Sequence, residues 1–210
     1  MLSTTASAYH GTVGDPAPDI GALVGSRICH DLISPLGAIG NGVELIALSG
    51  MDDTPEMALI AESVENANAR IRFFRVAFGA AEAEQTIGAQ EIAAIVEGLG
   101  RTGRHQIDWS AGGGPRVEVK LAFLLVLCIS SAMPWGGTIT VRRFGEIWRV
   151  AGASERMKLD RVLWDALSEP GVPLSVSSAE VEFPLARATA ARIGRTLAVE
   201  AANSEITVTF

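Results

Sequence analysis

Two consecutive stretches of the chain step through apolar residues at alternating intervals of three and four. In the first these are Leu32, Leu36, Ile39, Val43 and Ile46. In the second they are Met57, Ile60, Val64, Ala67, Ile71, Phe74 and Phe78. Heptad stepping of this kind belongs to helices that pack at a shallow angle against other helices. Asp19 is the expected cap of helix one, which should run to about Ser49, where Ser-Gly-Met-Asp-Asp makes a turn. Thr54 then caps helix two, with Pro55 at its first position and Gly79 closing it. The short turn implies an antiparallel hairpin. Two helices cannot enclose their own seams, and exposed seams would form an apolar patch larger than a soluble monomer carries. They need either a second copy, giving a four-helix bundle about a two-fold axis, or the C-terminal half of the same chain.

Within helix one, His30 precedes Asp31, and Ser34-Pro35-Leu36 follow. On a helical wheel the seam lies roughly 160–240° from His30, so the imidazole is expected on the solvent side. Its face is shared by Ser34, Gly37, Asn41, Glu44 and Leu48, mostly small or polar. A lone histidine is more often a surface or core residue than a functional one. Here, however, the segment resembles the phosphoacceptor box of two-component histidine kinases. Over His30–Leu45, His-Asp-Leu-Ile-Ser-Pro-Leu-Gly-Ala-Ile-Gly-Asn-Gly-Val-Glu-Leu, it is similar to the ChpT-type histidine phosphotransferases of alphaproteobacteria.

That resemblance implies that His30 is the phosphorylated residue, with Asp31 orienting its ring or taking up its proton. It implies a relay, in which a receiver-domain aspartyl phosphate of a hybrid histidine kinase donates to His30 and response-regulator receivers accept from it. Magnesium and a lysine are expected on the receiver, with no cofactor or metal in this chain. Of the two ways to cover the seams it favours the homodimer. Ser34, Gly37, Ala38, Asn41 and Leu45 then form the docking surface running down from His30. Counting back through the hairpin brings helix two level with His30 near Phe74, making Arg72 and Arg75 rim contacts for an acidic receiver edge.

With 210 residues, 48% of them hydrophobic, the chain can hold one large domain or two small ones. No apolar run approaches the roughly 20 residues of a membrane span. The N-terminus lacks a basic start followed by an apolar run, so no secretory signal is expected, and 1–18 reads as a frayed leader. Cys29 and Cys128 lie in predicted helices without ligand-like spacing and read as buried thiols of a cytoplasmic protein. A net charge of −7 offers no basic stripe for nucleic acid.

The hairpin and acceptor domain is placed at 19–80, a polar linker at Gly79–Thr86, and a second domain at 87–210. There the pattern predicts helices over Gly88–Leu99, Val117–Met133, Leu159–Ser168 and much of Ser178–Gly194. The last carries a Ser177…Glu180 capping box, and Pro184 is expected to bend or split it. Strands are expected over Gln106–Ser110, Thr138–Phe144, Ile147–Ala153, Thr196–Glu200 and Glu205–Phe210. The fold class is thus a helical hairpin followed by an α/β sandwich, helices on one face of a mixed sheet. The order resembles the histidine-kinase ATP-binding domain, but its chemistry is missing. Ser131-Ala132 stands where kinases place a magnesium-holding asparagine, and Val150–Ser154 has no adenine-reading aspartate. Pro184–Arg192 has no glycines for a phosphate lid.

Other motifs read as structural. Gly112-Gly113-Gly114 is followed by no Gly-Lys-Ser/Thr, His105 has no partner acid or cysteine nearby, and Arg187, Arg192 and Arg195 read as a solvated face. Two functional alternatives stand beside the phosphotransferase. One is an ATP-dependent kinase core with a divergent pocket, separable by nucleotide titration. The other is a non-enzymatic dimer that sequesters receivers, separable by whether His30 retains phosphate.

Overall fold

In the computed structural model, the described residues are Val24, Arg27, Ile28, Asp31, Leu32, Pro35, Gly37–Ile39, Asn41, Gly42, Leu45 and 55–210, except 82, 83, 101, 102, 170 and 175. The leader, both expected ends of helix one and the Thr54 cap lie outside them, as do His30, Ser34 and Cys29. All described positions between Val24 and Leu45 are helical. The second helix, α1, spans Pro55–Ala77 and opens on its proline, whose missing N–H would be unpaired in the first turn anyway. The two helical segments meet closely at Gly42, where a Cβ would collide with the Ile60 side chain.

Beyond α1 come β1 (Thr86–Ile87), α2 (Ala89–Gly100), β2 (His105–Trp109), β3 (Gly114–Pro115) and α3 (Arg116–Ala132). These are followed by β4 (Gly137–Phe144), β5 (Ile147–Ala153), α4 (Arg161–Ser168), α5 (Glu182–Arg192), β6 (Ala198–Ala201) and β7 (Glu205–Thr209). A five-stranded sheet has the order β2-β4-β5-β7-β6. The β2–β4 pair is parallel and the other pairs are antiparallel, so the expected mixed sheet is present. Alternation decides its faces. Ile139, Val141, Trp148, Val150, Ile206 and Val208 point to the core, while Thr140, Arg142 and Arg149 line the other face with the Arg142–Asp108 ion pair.

Helix α3 is buried along almost its whole length, as its unbroken apolar run requires, because it lies between the sheet and the helices α1 and α5. It comes unusually close to β5. A Cβ at Gly152 would collide with Ile129 Cγ2 and stand 3.2 Å from Met133 Cε. An aromatic series crosses this core from strand to helix. Phe210 stacks on Trp148, Trp148 meets Trp109 edge-on, Trp109 meets Phe123, and Phe123 stacks on Phe73 of α1 at 4.6 Å.

The core therefore continues past the linker into α1, where Phe73, Phe74, Val76 and Ala77 are buried in it. The linker itself is held down, since Lys120 Nζ donates to the Gly79 carbonyl at 2.7 Å and Arg116 Nε to that of Ala80. Cover by the same chain, the less favoured of the two expectations for the seam, is thus realised along one stripe of α1.

Two local expectations need correction. Pro184 neither bends nor splits its helix, because it is the third residue of α5, still within the turn whose N–H groups have no intrahelical partner. The break falls earlier, between a single 3₁₀ turn at Ser178–Glu180 and α5, and the Ser177–Glu180 capping box closes that turn. Nor are the C-terminal arginines simply solvated. Arg187 donates to the carbonyls of Ala166 and Val172, and Arg195 pairs with Glu118 and Glu146.

Candidate functional site

Of the expected site residues, the structure describes Asp31, Gly37, Ala38, Asn41, Leu45, Arg72 and Arg75. Gly37, Asn41 and Leu45 are exposed, and a Cβ built on Gly37 would meet nothing within 4 Å. Ala38 is half-buried. This face of the helical segment is therefore open to an approaching surface, whereas Gly42 and Pro35 on the other side are buried. Arg72 and Arg75 are exposed near the C-terminal end of α1. Counting outward from the Gly42–Ile60 contact along antiparallel helices brings Asp31 level with Ile71, beside Arg72.

Asp31 is half-buried and tied to its own helix. Arg27 Nε donates to its Oδ2 at 2.9 Å, one helical turn earlier. The same guanidinium reaches across to the C-terminal half, where its Nη1 donates to the Ala179 carbonyl at 3.0 Å. Ile28 adds an apolar contact to the common core. Behind this junction sits Glu182, the first residue of α5, fully buried. Neither of its carboxyl oxygens has a hydrogen-bond partner among the described residues. Burial pushes its pKa up to about 7, against the pull of the Arg27 charge. Sequence reasoning missed both Arg27 and Glu182. An arginine four residues before the acid was a readable helical pair, but nothing local marks Glu182.

The remaining candidates behave as structural groups. The His105 ring nitrogen Nε2 hydrogen-bonds the Met133 carbonyl at 2.8 Å. In the glycine run, Gly114 pairs with Ile87, and the Trp109 indole donates to the Gly112 carbonyl. Cys128 is a free, buried thiol, pushed well up by burial. The Ser131 hydroxyl bonds back to the Cys128 carbonyl of its own helix. Among the described residues no group of three or more metal-ligating side chains occurs, and no helix is long and apolar enough to cross a membrane.

A helical segment with an open polar face, docked on a five-stranded α/β sandwich, defines the class of architecture. Residues 89–205 match the family described as the histidine phosphotransferase C-terminal domain, and the chain belongs to that family. It is 42% identical over 132 residues to the protein phosphotransferase ChpT of Brucella abortus, a match covering 61% of this chain and 63% of that one. The match therefore spans less than two thirds of the relative's length. The fold is similar to that of a solved bacterial phosphotransferase, with TM-score 0.76 and 30% identity, covering 94% of this chain and 98% of the other. A histidine kinase domain from Erythrobacter litoralis matches with TM-score 0.44 and 14% identity, covering 91% of this chain and 90% of the other.

Proposed function

We propose that the protein is a histidine phosphotransferase of a two-component phosphorelay, with His30 as the phosphoacceptor. The observation that carries this reading is the open face at Gly37 and Asn41, beyond Asp31 on the same helical segment, in a chain of this family whose sequence places His30 just before that acid. In the transfer, an imidazole nitrogen of His30 attacks the phosphorus of a receiver's aspartyl phosphate. The N–P bond forms, the acyl O–P bond breaks, and the aspartate leaves as carboxylate with the electron pair. Neutral imidazole is a competent nucleophile near neutral pH, and such transfers depend mainly on positioning and charge neutralisation. The ring proton lost on phosphorylation goes to Asp31 or to solvent. The receiver supplies magnesium and a lysine, and this chain supplies the nucleophile and the docking face, with Ser34, Ala38, Leu45, Arg72 and Arg75 around it. A second receiver takes the group by the reverse step.

The working form is a homodimer joined through the hairpin in the cytoplasm. Its support is a stripe of α1, Met57, Val64 and Ile71, that recurs every seven residues and is 41%, 39% and 48% exposed in the single copy. The C-terminal domain works without nucleotide. In support of this, the end of β5 is packed by Ile129 and Met133 at Gly152, and Ser154 Oγ donates to the Gly136 carbonyl at 2.7 Å.

The test is incubation of the full chain with receiver domains charged with phosphate on aspartate, in the absence of ATP. Acid-labile, alkali-stable phosphate should appear on the wild type and not on His30→Ala. Labelling of the wild type by ATP alone would point to a kinase instead.

A further inference from the structure

Arg27 holds two parts of the chain with one planar group. Its Nε donates to Asp31 Oδ2 at 2.9 Å on its own helix, and its Nη1 donates at 3.0 Å to the Ala179 carbonyl, 152 residues away in sequence. The Arg27 and Asp31 side chains are 22% and 11% exposed, so water competes little for the pair. The accepting carbonyl belongs to the 3₁₀ turn Ser178–Glu180, which the Ser177–Glu180 capping box closes. Ile28, the next residue, packs against the common core. The helical turn that leads into His30-Asp31 is thus fastened to the C-terminal half by a charged fork and an apolar contact.

Helix stability does not account for this pair. At a spacing of four, an acid followed by a base is the favourable order along a helix, and here the arginine comes first. A lysine would also serve a single ion pair. What arginine adds is a rigid fork whose donors keep fixed directions, so a bond to one partner sets the aim toward the other. We propose that Arg27 is a positioning residue for phosphoryl transfer, passing the placement of the Ser177–Glu180 turn to the Asp31 carboxylate, so that the C-terminal domain sets the acid beside the phosphoacceptor. This inference rests on the reading of His30 as that acceptor and of Asp31 as the acid that orients its ring or takes up its proton. Asp31 follows His30 by about 100° around the helix, so the direction of its carboxyl group decides whether it can serve the ring. A misplacement of about 1 Å can cost roughly a hundredfold in rate. The C-terminal domain thereby has a part in the reaction that needs no nucleotide.

The experiment is a double-variant cycle on the full chain. Phosphoryl transfer from one charged receiver domain is read as the rate at saturation and as the half-saturating receiver concentration, per folded chain. Arg27→Gln should slow transfer at saturation by about tenfold or more and leave the half-saturating concentration little changed. Arg27→Lys, which keeps the charge and loses the fork, should not restore the rate. Asp31→Asn should also be slow, and adding Arg27→Gln to it should slow transfer no further, because a residue that acts through Asp31 has nothing left to act on. Ser177→Ala opens the capping box and leaves Arg27 in place. It should give a smaller fall of the same kind, and it decides the matter if Arg27→Gln does not fold. A strap that only holds the fold together would change the folded fraction or the affinity, not the rate at saturation per folded chain. Wild-type rates in Arg27→Gln, Asp31→Asn or Ser177→Ala, full rescue by lysine, or independent losses in the doubly substituted chain would each overturn the coupling. Phosphate on the wild type and not on His30→Ala would then leave the phosphotransfer reading intact. Failure of the wild type to take phosphate from any receiver would remove both.

Discussion

Two stripes run along helix α1 on either side of one heptad seam, and they meet opposite fates. Ile60, Ala67 and Phe74 face their own chain, where Ile60 abuts Gly42 and Phe74 enters the common core. Met57, Val64 and Ile71 carry the same period and similar hydrophobicity yet stand about half exposed. A heptad repeat thus announces which side of a helix is apolar without saying who covers it. Here one half of the seam fastens α1 to the sheet domain, and the other half stands exposed in the single copy.

Breaking the covered stripe should have the largest effect. Phe74→Ala removes an aromatic ring from the core and should lower unfolding free energy by about 3–5 kcal/mol, read from denaturant midpoints at fixed concentration. A loss below about 1 kcal/mol would mean that α1 is not anchored as described. The exposed stripe should respond differently. Val64→Asp should shift the sedimenting species from dimer to monomer, with intrinsic stability of the monomer changed by no more than about 0.5 kcal/mol. A dimer that survives this charge must be joined elsewhere. The smallest structural effect is expected on the open face of the preceding helical segment. Gly37→Trp should leave the unfolding curve unchanged and weaken the apparent affinity for a charged receiver, without altering the rate at saturation. An unaltered affinity would move the docking face to another side of the helix.

These contrasts also mark what could be read from the residues alone. Strands β4 and β5 follow directly from period-two alternation, α3 from its apolar run, and the Ser177–Glu180 capping box from its spacing, because each signal is local, although the box closes a 3₁₀ turn and not the long helix expected there. The open face at Gly37 and Asn41 follows from a helical wheel for the same reason. Partnering across the chain is a different matter. Nothing near Phe73 says that it stacks on Phe123, and nothing near Glu182, one of 24 acidic residues, says that it is buried beside Arg27. The arginines Arg187 and Arg195 show the same limit, since helical spacing places them on a surface but not on the carbonyls and carboxylates that engage them.

The close approach at Gly152 carries a consequence for how such a chain can change by descent. The space a side chain would occupy there is already filled by a branched carbon of Ile129, with Met133 beside it. A lineage cannot therefore enlarge residue 152 in one step, since overpacking a core of this density is destabilising. It must first trim Ile129, accept the small cavity, and only then add the methyl group. Positions 129 and 152 form a lock with an ordered combination.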